Sequence, residues 1–134
     1  MNPLEIQRIR VRNGALDLEV ALDLDTLHVT EEQAEALLGL LPNLARHVCV
    51  NESGDGSFGN EIVGTELAHL LEHVIIELQS KAMPQASGLT GHTSWLEELA
   101  ATAPQGYALM RTTVTFANDF VALGAMNCAI EIID

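Results

Sequence analysis

The chain has 134 residues, 48% of them hydrophobic, with 19 Asp or Glu against 6 Lys or Arg and a formal net charge of -13. That length suits one domain whose core needs no disulfide or structural metal, and no stretch approaches the roughly 20 apolar residues of a membrane span. The negative balance argues against nucleic acid, whose phosphates it would repel, and suits a cationic partner, although acidity also serves solubility alone.

Met1-Asn2-Pro3-Leu4-Glu5 lacks the basic, apolar and small-residue succession of a leader, so export is not expected. Cys49 and Cys128 lie far apart without framework spacing, which suits free thiols in a reducing compartment. A soluble, cytoplasmic protein is expected; whether it forms a homo-oligomer is left open.

Residues 4–11 and 16–24 alternate apolar and polar positions on either side of Asn13-Gly14, the pattern of a hairpin. Thr30 and Gln33 make a capping box for a helix over 31–41, which Pro42 ends. His47-Val48-Cys49-Val50 reads as a short strand, and residues 51–60, with three glycines, as a loop. From Thr65, read as N-cap, the apolar positions Leu67, Leu70, Leu71, Val74, Ile75 and Leu78 recur at three and four, predicting a helix over 66–81. Pro84, Ser87, Gly88 and Gly91 mark a second loop. Ser94-Trp95-Leu96-Glu97 then matches a capping box opening a short helix to about Thr102, with Trp95 as its hydrophobic plug. Residues 107–116 read as a strand, and Asn118 or Asp119 caps a last helix through Ile132. The expected architecture is α+β, one domain over 1–134, with helices on one face of a mainly antiparallel sheet.

The chemistry concentrates in His69-Leu70-Leu71-Glu72-His73. Positions four apart stack on one helix face, so both imidazoles can aim at one point. Two such nitrogens suit Zn²⁺, and Glu72, beside the pair, is placed to take a proton from water. The spelling H-x-x-E-H is that of inverted zincins, in which the metal polarises a carbonyl and the Glu is general base, so peptide hydrolysis is the natural reaction. Two histidines on a helix can also bond within a core, the plainer reading. Asp119, Glu131, Glu66, His47 and His92 are the candidates for a third ligand. Glu77 lies a rise of about 12 Å from His69, too far to share its ion, and suits a supporting role or the rim. His47 beside Cys49 also admits a metal or redox pair, or ordinary packing, while His28 and His92 read as surface or turn residues. Zinc suits imidazole and carboxylate, with iron, cobalt or manganese as alternatives.

The run Gly64-Thr65-x-x-x-His69-x-x-Glu72-His73-Val74-x-x-Glu77-Leu78-Gln79 resembles the N-terminal domain of cyanophycin synthetases, enzymes that polymerise aspartate and arginine. Leu22-Asp23-Leu24-Asp25, Leu41-Pro42-x-Leu44-x-x-His47-x-Cys49, Ala82-Met83-Pro84, Gly106-Tyr107 and an Ala-rich last helix extend the resemblance over nearly the whole chain. It implies a domain that binds the polymer and, in some members, cuts its backbone with zinc to make primer ends. His69 and His73 would hold the zinc, and Glu72 would activate water. An acidic surface would then pair with guanidinium groups of cyanophycin or another Arg-rich peptide. The chain ends before the family's synthetic domains, so it is not expected to polymerise by itself. Ala86-Ser87-Gly88-Leu89-Thr90-Gly91-His92 also departs from the family's Gly-x-Gly-Arg-Thr-Arg loop. The readings carried forward are a zinc-dependent hydrolase, a noncatalytic polymer-binding or scaffold module, and a domain with a closed structural metal site.

Overall fold

In the computed structural model, residues 3–48, 56–96, 103 and 105–133 are described. Strand β1 (Leu4–Arg12) turns at Gly14, whose φ of 79° a side chain would resist, into β2 (Ala15–Asp23). The alternation in β1 is interrupted: apolar residues fall at 4 and 6, then at 9 and 11. A register shift between Ile6 and Arg8 absorbs the change, keeping Leu4, Ile6, Ile9 and Val11 opposite Leu22, Val20, Leu18 and Leu16.

Helix α1 (Glu31–Leu40) begins at the expected capping box, with Thr30 and Gln33 bonded reciprocally. A 3-10 turn over Pro42–Arg46 follows it, and a single helical turn, α2 (Phe58–Glu61), precedes the long helix α3 (Leu67–Ala82). Strands β3 (Gly91–Trp95) and β4 (Tyr107–Thr115) and helix α4 (Asp119–Ile133) complete the chain. The sheet is antiparallel throughout, in the order β1-β2-β4-β3, so β3 is an outer strand.

Leu16, Leu18, Val20 and Leu22 are buried in one core with Leu67, Leu70, Leu71, Val74 and Ile75 of α3 and Ala122, Met126 and Ala129 of α4. The intervening Asp17 and Glu19 turn to the other face, where Arg12 meets Asp17 at 3.0 Å and Arg8 and Arg111 both approach Glu19. This is the α+β arrangement that the patterning implies.

Three local readings are corrected. Ser94 does not cap a helix: residues 91–95 pair with β4, Trp95 is 43% exposed, and residues 97–102 of that expected helix lie outside the described residues. The capping-box spelling misled because an outer strand with no apolar stripe carries no period-two signal. Thr65 is not the N-cap of α3; Glu66 is, and the Thr65 hydroxyl bonds His69 instead. Of the expected strand at 47–50, Val48 makes one isolated bridge to Ser57, and Cys49 and Val50 lie outside the described residues. The last helix is capped by Asn118, whose side chain accepts from Val121 N–H at 3.1 Å.

Candidate metal centre

Helix α3 packs its apolar stripe on the sheet and sets His69, Glu72 and His73 along the neighbouring face, under β3 and beside the 3-10 turn that ends at His47. Glu72 and His73 are 5% and 3% exposed, so each needs a partner. Every one has it. His73 Nε2 lies 3.1 Å from His69 Nε2, and His73 Nδ1 lies 3.0 Å from His47 Nδ1. His47 Nε2 in turn lies 3.1 Å from Glu77 Oε1, and Thr65 Oγ1 lies 2.8 Å from His69 Nδ1. Glu72 Oε1 accepts from the Thr93 hydroxyl at 2.8 Å, and its Oε2 stands 3.5 Å from His73 Nε2.

One arrangement of protons satisfies this whole chain of bonds. In it Glu77 accepts from His47 Nε2–H, and a neutral His47 turns its bare Nδ1 to His73. His73 answers with Nδ1–H, which leaves its Nε2 lone pair aimed at His69. Burial above all pushes the His73 pKa down to about 3, so the ring is neutral. Burial lowers His69 as well, against the opposing pull of Glu66 and Glu61. The Thr65 hydroxyl can donate or accept and therefore serves either tautomer of His69. In one, His69 Nε2–H donates to His73. In the other, two lone pairs face each other and a cation must lie between them.

The donors fit zinc. Two nitrogens each about 2.0–2.1 Å from a tetrahedral zinc stand about 3.3 Å apart, within a few tenths of the spacing between these rings. One ligand atom from each of His69, Glu72 and His73 lies within 4.8 Å of the others. Phe58, fully buried on α2, stacks on His73 with centroids 4.0 Å apart and meets His69 edge-on at 5.2 Å, holding both rings. Burial raises the Glu72 pKa to about 7, opposed by the Thr93 hydrogen bond. A carboxyl at that value gains and loses its proton near neutral pH.

A cavity of about 790 Å³, ordinary for a ligand site, opens over the cluster. Of the candidate third ligands, His47, Glu66 and His92 line it, whereas Asp119 and Glu131 on α4 do not. Asp119 accepts from the N–H of Phe120 within its own helix. His47 reaches the nitrogen of His73 that faces away from His69, which makes it a support for that ring. Glu77, 5% exposed, completes the support. Phe58 had no signal beyond being a large aromatic in a glycine-rich loop, and Thr93 had none.

Residues 15–134 match the family model of the cyanophycin synthase-like N-terminal domain. A 61-residue segment, 45% of the chain, is 38% identical to cyanophycin synthetase of Geminocystis herdmanii (strain PCC 6308). The match spans 7% of that protein's length. The chain belongs to the cyanophycin synthase-like N-terminal domain family.

Proposed function

We propose that the chain is a metal-dependent amide hydrolase acting on the backbone of cyanophycin or a related Asp/Arg-rich polymer, with His69 and His73 as zinc ligands and Glu72 as general base. The observation that carries this reading is the convergence of two imidazole nitrogens 3.1 Å apart with a buried carboxylate facing the same point. When bound, zinc supplies Lewis acidity, polarising a carbonyl and acidifying a water.

The chain's own residues do the rest. Thr93 occupies Glu72 Oε1, so Oε2, on the side of His73, is the oxygen that takes a proton from water and returns it to the leaving amide nitrogen. Glu77 and His47 hold His73 with its Nε2 unprotonated, and Phe58 restrains both rings. The net charge of -13 attracts a polymer bearing guanidinium groups.

That same charge supports a second reading, a polymer-binding module without catalysis. Incubation with cyanophycin, following chain length, separates the two. Wild type is expected to shorten the polymer, Glu72→Gln to lose about 10²-fold or more, and a chelator to stop the reaction. Binding by both proteins with shortening by neither would select the binding module. Shortening undiminished in Glu72→Gln would remove the assigned base.

A further inference from the structure

Strand β3 is an outer strand of the sheet, and its edge away from β4, unpaired among the described residues, faces the cavity. Every residue from 89 to 95 lines that cavity. One face of a strand would contribute only alternate residues, so the unbroken run means that the edge itself forms the wall. Which backbone groups are free follows from the pairing. Thr115 N–H donates to the carbonyl of Thr90, and Leu96 N–H donates to that of Leu109. In the register with β4, positions 90, 92, 94 and 96 are thus the hydrogen-bonded ones. Gly91, Thr93 and Trp95 turn their N–H and C=O away from β4, and no other described strand pairs with them.

The free edge also lies beside the base. Thr93 bonds Glu72 through its hydroxyl, and Gly91 packs so closely that a Cβ there would sit 2.6 Å from Glu72 Cγ. A strand added to β3 would run about 4.8 Å outside it, within the cavity and alongside the face that carries His69, Glu72 and His73. Among the described residues, the cavity lining includes Glu66 and Glu72 and no Lys or Arg, a lining that suits a neutral or cationic chain and repels an anionic one.

We propose that the outer edge of β3 is a docking strand for an extended polypeptide backbone, which pairs with the main-chain groups of Gly91, Thr93 and Trp95 and so lies against Glu72. Recognition of this kind reads the main chain and is indifferent to alternate side chains that point outward. The proposal rests on the hydrolase reading for its consequence, cleavage of the docked chain, but the docking can be measured without it.

The test uses Glu72→Gln protein and a short synthetic oligo-aspartate carrying arginine on each side chain, with amide hydrogen exchange as the readout. Exchange at Gly91, Thr93 and Trp95 is expected to slow about tenfold or more on adding the oligomer, while His92 and Ser94, already paired, hold their rates. Of two methylated oligomers, one N-methylated at every backbone amide is expected to bind about tenfold more weakly than one N-methylated at alternate amides, which can still present its unmethylated set to β3. Binding without slower exchange at residues 91, 93 and 95, or equal affinity of the two methylated oligomers, would overturn the proposal. Wild type treated with the unmethylated oligomer tells the two readings apart. Cleavage without protection removes the docking strand and keeps the hydrolase, protection without cleavage does the reverse, and neither removes both.

Discussion

Gly91 offers a sharp perturbation because its backbone angles are open to alanine while its surroundings are not. An added Cβ would meet Glu72 Cγ at 2.6 Å and Cδ and Oε2 at 2.9 Å, where ordinary contact begins at 3.4 Å. Glu72 must therefore retreat by roughly 1 Å, although Thr93 holds its Oε1, and overpacking of this kind costs about 1–3 kcal/mol. Because the obstacle is the carboxylate arm, Glu72→Ala should relieve it. Urea unfolding of wild type, Gly91→Ala, Glu72→Ala and the double variant, all in chelator, measures the coupling. Gly91→Ala is expected to cost about 1–2 kcal/mol when Glu72 is present and less than about 0.5 kcal/mol when it is not. Equal costs in the two backgrounds would refute the packing of β3 against Glu72. If hydrolysis is the activity, the same displacement lowers kcat/KM about 100-fold.

Glu72→Gln should stabilise the chelator-treated protein in a pH-dependent way. A carboxyl whose pKa rises from 4.5 to about 7 on folding weakens the fold as pH climbs between those values. The variant and wild type should be equally stable near pH 4 and differ by about 3 kcal/mol near pH 8, in favour of the variant, at 1.36 kcal/mol per pH unit. Melts across that range showing a constant gap would contradict the burial of Glu72. His47→Ala, which frees His73 Nδ1, should weaken zinc affinity about 10–100-fold by competition titration, and unchanged affinity would remove its supporting role. Thr30→Ala, breaking the capping box of α1, should cost about 1 kcal/mol in urea melts with metal binding intact.

The parts of this molecule that obey a local period were legible from residues alone. Helix α3 announced itself because Leu67, Leu70, Leu71, Val74 and Ile75 fall on one stripe, and all are buried as that spacing requires. His69, Glu72 and His73 were legible for the same reason, since one turn of helix brings them together. The groups that orient them are set by tertiary contacts: His47 and Glu77 are 30 residues apart, and Thr93 is 21 from Glu72. No short-range pattern encodes such pairs. Gly91–Trp95 was misread because its pairing with β4 supplies order that its own composition does not, and Ser94 carries the spelling of a helix cap into a strand. The register shift in β1 was missed by reading residues 4–11 as one unbroken alternation, although apolar positions change parity between Ile6 and Ile9.

The proposed hydrolysis depends on one helical turn bringing His69 and His73 to a common ion. Calorimetric titration of zinc into chelator-stripped wild type, His69→Ala and His73→Ala, with a melt of each protein to establish folding, tests it most directly. One ion per wild-type chain and loss of measurable binding in each folded variant is the expected result. No uptake by wild type, or uptake undiminished in both variants, would contradict it.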